Sequence, residues 1–264
     1  LALMIYGDLD VSVIDELPPG RTPIETFLVG ESKRTRMYGF VEKLVAEGRQ
    51  AYIVCPAVEE NGTDDLKAVT VYAEKLQKEI FPNRRVGLIH GKLKAAEKND
   101  MMGKFARGEV DILVATTVIE VGVDVPNAAV MVIENAERFG LGQLHQLRGR
   151  VGRGGYASFC ILVSQTQSEA TRERLRALCE TTDGFKISEE DLKLRGPGDF
   201  FGSRQHGLPA LKLADLTGDM RLLKSAQEGA KTLLADDPKL CKPENKLVME
   251  RVRQLFRENA EIFN

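Results

Sequence analysis

Two apolar runs, Ile112 to Ala115 and Ala128 to Ile133, constrain the fold of this chain more than any other feature. Each is too short for a helix and is bounded by polar or turn residues, the pattern of a strand buried on both faces in a parallel sheet. Thr26 to Val29, Ala51 to Cys55, Val86 to Ile89 and Ser158 to Val163 read as further strands. Helical patterns lie between them. Lys33 to Glu47 carries Met37, Phe40, Val41, Leu44 and Val45 at three- and four-residue intervals and is ended by Gly48. Thr63 to Ile80 carries Leu66, Val69, Ala73, Leu76 and Ile80 in helical register, with Pro82 beyond it. A third helix, with Met101 and Phe105 inward, follows His90-Gly91. Strand alternating with helix from residue 26 to 163 predicts βαβ units with right-handed crossovers. The expected fold class is therefore α/β, one parallel sheet with helices on both faces.

Composition narrows the function. With 264 residues, 43% of them hydrophobic and 29% charged, the chain has the make-up of a soluble globular protein. A net charge of -2 gives no overall attraction to nucleic acid, so such binding would need local patches of Lys and Arg. Cys55, Cys160, Cys179 and Cys241 form no C-x-x-C pair, and His90, His145 and His206 show no ligand spacing. Core thiols in a reducing compartment and no bound zinc are the expectation. No apolar run approaches the roughly 20 residues of a membrane span, and no charged n-region precedes an apolar core, so a cytoplasmic protein with no membrane partner is expected. The sequence contains no G-x-x-x-x-G-K-[ST] phosphate loop and no acidic box of the D-E-x-H type. With an opening on Leu1-Ala-Leu-Met and no initiator Met, this leads us to expect one half of a longer protein.

Two segments carry the chemistry. Thr116-Thr117, Gly122 and Asp124 follow the run ending at Ala115 and leave a strand at its carboxyl end, where open α/β sheets bind ligands. Gln146, Gly149, Arg150 and Arg153 then stand at Q-x-x-G-R-x-x-R spacing, within a run free of carboxylates from Arg138 through Ser168. Unneutralised arginines call for an anionic partner, and guanidinium forks suit phosphate oxygens and the charge that develops in phosphoryl transfer. His90-Gly91 ends another strand ahead of Lys92, Lys94, Lys98 and Lys104. Backbone amides at a helix start with lysines nearby make a seat for phosphate. The same lysines also serve to solvate an amphipathic helix.

Before and after this core the pattern changes. Leu17-Pro-Pro-Gly-Arg-Thr-Pro23 cannot continue a helix or a ladder, so residues 1–23 read as a linker and 24–165 as the α/β domain. In 166–264, Ser168 to Cys179 predicts a helix with Leu175 and Leu178 inward, and Ser188-Glu-Glu-Asp191 predicts the capped start of a second, reached through Thr181 to Ile187 as a hairpin. A loop punctuated by Gly196, Gly198, Gly202 and Gly207 follows and carries Arg204, Gln205 and His206. Beyond Lys212 two more helices are expected, with Asp236-Asp237-Pro238 as a loop between them.

Taken together these residues resemble the second motor lobe of a superfamily-2 helicase. Ala115 to Asp124 is similar to that superfamily's motif V, and Gln143 to Arg153 to its arginine-finger motif VI. Asp191-Leu-Lys-Leu-Arg-Gly-Pro-Gly-Asp-Phe-Phe-Gly-Ser-Arg-Gln-His-Gly-Leu-Pro209 resembles the translocation motif that follows the motor in RecG-type branched-DNA helicases and in the transcription-repair coupling factor. Its Arg195-Gly-Pro-Gly198 and Gly202-Ser-Arg-Gln205 wording fits the RecG type better. The resemblance implies a RecA-like lobe followed by a helical hairpin, a translocation loop and C-terminal helices. It puts Arg150 and Arg153 at the terminal phosphates of ATP, with Gln146 coupling them to the nucleic-acid side, and Gly122, Asp124 and Gly149 at the nucleotide. Thr116, Thr117, His90 and Gly91 would face the nucleic-acid backbone. Arg174, Arg195 and Gln205, with Arg204 in the same loop, would pass lobe motion to duplex DNA. ATP and Mg2+ would be held mainly by a first motor lobe absent from this chain, so the chain alone is expected to be inactive as an ATPase. The implied partners are forks and Holliday junctions, together with the first lobe and wedge domain of the same protein. The alternatives are the coupling-factor motor and a non-catalytic DNA-binding or protein-interaction module. Intact Gln146, Arg150 and Arg153 argue against the module.

Overall fold

The computed structural model describes residues 21–56, 63–116, 124–191 and 220–258. They fall into two compact units, residues 21–191 and residues 220–258. In the first, strands β1 (Ile24–Val29), β2 (Gln50–Val54), β3 (Val86–Ile89), β4 (Ile112–Ala115), β5 (Ala128–Ile133) and β6 (Ser158–Val163) form one sheet in the order β1-β6-β5-β2-β4-β3. Every pairing is parallel. β2, β4 and β5 are buried along their whole length, as unbroken apolar runs require of central strands.

Successive side chains in a strand point to opposite faces. Tyr52, Val54, Leu113, Ala115, Met131 and Ile133 therefore enter the core on one face, and Ala51, Ile53, Ile112, Val114, Val130 and Val132 the core on the other. Helices α1 (Arg34–Ala46) and α2 (Thr63–Lys75) cover the second face, while α3 (Ala95–Ala106), α4 (Leu141–Arg148) and α5 (Glu169–Glu180) cover the first. Steps from β1 to β2 and β2 to β3 run one way along the sheet through α1 and α2. Steps from β3 to β4 and β5 to β6 run back through α3 and α4. Opposite directions use opposite faces, as a single crossover hand requires. The expected RecA-like architecture is present.

Close packing explains local choices. Gly87 in β3 lets α3 approach, since a Cβ there would lie 2.8 Å from Met101 Sδ. Gln50 is buried and donates from Nε2 to the carbonyls of Phe105 (2.6 Å) and Val110 (2.8 Å), tying the end of α3 to the entry of β4.

Two local expectations need correction. The helix expected over Thr63 to Ile80 is α-helical only to Lys75, and Leu76–Ile80 forms a π turn closed by Phe81 N–H donating to Leu76 O at 2.7 Å. The wider turn lets Leu76 and Phe81, both almost fully buried, share one core. The second hairpin helix does not start at Ser188: residues 184–191 are helical, and Asp183 Oδ1 accepts from Phe185 N–H at 2.9 Å. That earlier start puts Ile187 in the core beside Leu175 and Leu178. As expected, a loop follows Asp236, with residues 237–240 non-helical, and Asp237 is buried and organises this turn by accepting from Cys241 N–H, Lys242 N–H and Asn245 Nδ2. That turn separates α6 (Met220–Asp236) from the single-turn helix Pro243–Asn245 and α7 (Lys246–Glu258) in the second unit.

Candidate nucleotide and nucleic-acid sites

Candidate residues gather at opposite ends of the sheet. At the carboxyl ends of β3 and β4, Thr116 N–H donates to Ile89 O at 3.1 Å, which sets Thr116 beside His90-Gly91. Burial, then the Lys98 charge, pushes the His90 imidazole below its ordinary pKa. Its Nδ1 is buried with no hydrogen-bond partner among the described residues. Lys98 Nζ donates to Gly91 O at 2.9 Å. Glu97 accepts from Lys94 N–H at 2.9 Å, so a carboxylate closes the start of α3 and meets an amide that the phosphate-seat argument needed. Thr117 lies outside the described residues.

The arginine pair lies toward the other end. α4 buries Leu141, Leu144 and Leu147 in the core and ends at Gly149, after which the chain runs through Arg150 to Arg153. Arg21, just ahead of β1, donates from Nη2 to Gly149 O at 2.9 Å. Gly152, at φ 77°, lies against Ile24, the first residue of β1, so that a Cβ would meet Ile24 Cγ1 at 2.8 Å. Gly154 lies against Pro126 O, just ahead of β5. Residues 149–154 thus cross the amino ends of β1 and β5. There Arg153 donates from Nε to Gly149 O at 3.2 Å and pairs with Asp124 Oδ1 at 3.4 Å. Gln146 is exposed.

Asp124 therefore stands with the arginines and away from Thr116, although the sequence set both in one segment leaving a strand's carboxyl end. Gly122 is outside the described residues. Beneath this group sits Tyr52 of β2, its hydroxyl pushed up to about 12 by burial, with Arg150 and Arg153 pulling it down and Asp124 up. Arg174 is on α5 and donates to the carbonyls of Phe139 (2.9 Å) and Glu137 (2.7 Å), at the turn that leads into α4. Arg195, Arg204 and Gln205 lie outside the described residues.

Sequence reasoning missed Arg148, which is 2% exposed. It donates to Leu178 O (2.7 Å) and Thr181 O (2.8 Å) and meets His145 Nδ1 at 2.8 Å. The helical phase of Leu141 and Leu144 points position 148 inward, but a basic residue in a basic run reads as solvated. A second group missed stands at the carboxyl ends of β2 and β5. Glu134, buried, accepts from Arg34 Nη1 (2.7 Å) and Nη2 (3.1 Å) and from Tyr72 (2.6 Å), whose oxygen is 2.9 Å from that of Tyr38. This group lines a cavity of about 900 Å³ between α1 and α2, together with Cys55 and Pro56.

The arginines and Asp124 suit the phosphates and sugar of a nucleotide. Among the described residues no group of His, Cys, Asp and Glu could hold a metal ion. Known proteins match this arrangement in order. The helicase conserved C-terminal domain matches residues 33–155, and domain 3, C-terminal, of the ATP-dependent DNA helicase RecG matches residues 181–262. The chain belongs to the RecG family of helicases. It is 53% identical over 240 residues to the ATP-dependent DNA helicase RecG of Synechocystis sp., covering 91% of this chain and 29% of that protein. The Bacillus subtilis protein of the same name is 52% identical over 246 residues, 92% of this chain and 36% of its own. A RecG structure bound to a three-way DNA junction superposes with a TM-score of 0.66 at 53% identity, over 84% of this chain and 28% of that one. The chain thus spans about a third of the length of these relatives. No described helix is long and apolar enough to cross a membrane.

Proposed function

We propose that this chain is the C-terminal motor lobe and transmission segment of an ATP-dependent helicase that remodels forks and Holliday junctions in the cytoplasm. The reading rests above all on Arg150 and Arg153, set beside Asp124 at the amino ends of the strands and away from His90, Gly91 and Thr116 at the carboxyl ends. In this reading one end of the lobe serves the nucleotide and the other the DNA backbone. Residues 24–165 are the lobe, and 166–264 carry the hairpin, the translocation loop with Arg195, Arg204 and Gln205, and the terminal helices. The match of residues 181–262 to RecG domain 3 favours this function over that of the coupling factor.

Bound between two lobes, ATP with Mg2+ supplies the phosphoryl-transfer energy. Arg150 and Arg153 stabilise the charge that develops on the terminal phosphate, and guanidinium forks do this without proton transfer. Asp124 steers Arg153 and lies at the sugar, with Gly122 and Gly149 giving close approach. Gln146 links the phosphate side to Thr116 and Thr117 on the tracked strand. Closure and opening of the two lobes then move this one along DNA.

ATP turnover, with and without a three-way junction, tests the reading on the full-length protein and on the 264-residue chain. The full-length protein should show junction-stimulated hydrolysis, and the chain alone none above a contaminant control. Turnover by the chain alone would contradict the reading, since arginine fingers act on a site that other groups assemble.

A further inference from the structure

Helices α4 and α5 hold each other at both ends. From α5, Arg174 reaches the carbonyls of Glu137 and Phe139 ahead of α4. From the last residue of α4, Arg148 reaches back to the carbonyls of Leu178 and Thr181, where α5 ends. Arg174 gives one nitrogen to each of its carbonyls, whereas Arg148 donates to both of its carbonyls from Nη1 and to His145 from Nη2, a spread of donors that a planar fork holds and a single ammonium does not. His145 completes the second contact. Its Nδ1 accepts from Arg148, so Nε2 carries the ring proton, and Gly184 leaves room for Nε2, which would lie 2.9 Å from a Cβ there. Gly184 opens the helix at 184–191 that leads toward Arg195.

Among the described residues no carboxylate bonds to Arg148. Burying a guanidinium without one is unfavourable, and a Leu or Met would fill the same position in a helix whose other inward residues are leucines. What the arginine adds is a fixed link between the end of α4, from which Arg150 and Arg153 depart, and the 181–184 turn from which the second hairpin helix departs.

We propose that Arg148, seated by His145 and Gly184, is the positioning residue that makes the arginine pair and the hairpin move as one body, so that hydrolysis is converted into movement of junction DNA. This rests on the reading of Arg150 and Arg153 given above. Nucleotide-driven displacement at the pair passes through the buried guanidinium to the 181–184 turn, and without that link the pair still reaches its phosphates while the hairpin lags.

The test is ATP turnover and three-way-junction unwinding measured on the same preparations of full-length protein. Arg148→Met should lower the junctions unwound per ATP hydrolysed by about tenfold while turnover stays within about threefold, the scale on which transmission residues act. Arg148→Lys, which keeps the charge but not the fork, should fall between Met and the native residue. Gly184→Ala attacks the contact from the other side at a backbone conformation that any residue accepts, and it should lower the same ratio by roughly threefold. It decides the matter if Arg148→Met does not fold. An unchanged ratio in Gly184→Ala and Arg148→Lys, whether both activities fall together or both persist, overturns the proposal. Arg153→Ala in parallel keeps the two claims apart. If Arg153→Ala retains turnover, the reading of the pair has failed; if it is dead while the Arg148 and Gly184 ratios are native, only this inference has.

Discussion

Arg34 and Arg148 solve the same problem in opposite ways. Arg34, at the start of α1, faces Glu134 through paired hydrogen bonds and also donates to Glu31 and Tyr38. These partners hold its guanidinium pKa above the ordinary value against the opposing effect of burial. Arg148, at the end of α4, has only carbonyls and an imidazole among the described residues, and burial pushes its pKa down. The first arrangement neutralises charge and fixes α1 to the end of β5. The second has no carboxylate among the described residues and ties the end of α4 to the end of α5. One end of the sheet thus has a balanced network built for shape, and the other a buried guanidinium held in place by backbone.

The largest effect that bears on this contrast belongs to the cationic end. In the full-length protein, Arg150→Ala or Arg153→Ala should cut junction-stimulated ATP turnover by about a thousandfold, the scale of a supplied arginine finger. A fall of less than about tenfold would show that the pair serves another anion.

At the balanced end the effect is on stability. Glu134→Ala leaves Arg34 and the Tyr72 hydroxyl without their acceptor in a largely buried site and should cost about 3 kcal/mol, read as a lower denaturant midpoint. Arg34→Met with Glu134→Leu should regain most of it, because replacing both partners leaves no orphaned charge. A double variant as unstable as the single one would mean that the network does more than hold shape.

The smallest effect is a pH dependence around His145. Burial, then Arg148 and Arg21, lower its pKa below the ordinary 6.5, with Asp183 opposing. The unfolded chain therefore binds this proton more readily than the folded one. The stability contributed by the neutral ring is complete above about pH 6.5 and is lost as the pH falls below that value. His145→Asn, which keeps an acceptor but does not titrate, should flatten the acid side of a stability-versus-pH curve. An unchanged slope would assign the acid loss to other groups.

Much of this was legible in the residues because burial on both faces leaves a plain mark. β3, β4, β5 and β6 fall where their apolar runs are, and the Q-x-x-G-R-x-x-R spacing is what proposes Arg150 and Arg153 as the anion-binding pair. What was not legible depends on partners distant in sequence. Arg34 meets Glu134 across a separation of 100 residues, and no local pattern announces that pair. The π turn at Leu76–Ile80 arises because Leu76 and Phe81 must reach one core, which helical periodicity alone does not express. Ser188-Glu-Glu-Asp191 has the form of a capping box, but Asp183 caps earlier because Ile187 must be buried. Asp124 and Thr116 read as one ligand segment, and only the crossing of residues 149–154 over the amino ends of β1 and β5 separates them.

That separation is the central claim, and junction affinity tests it most directly. Three-way-junction binding should be titrated, without nucleotide, for the full-length protein carrying Arg150→Ala and Arg153→Ala together, beside one carrying Lys92→Ala and Thr116→Ala at the opposite end. The account predicts that the arginine variant binds within about twofold of the native protein, while the variant at the carboxyl ends binds about tenfold more weakly and with a shallower salt dependence, as lost phosphate contacts require. Weakened binding by the arginine variant with native affinity in the other would contradict it, because the arginines would then be holding DNA.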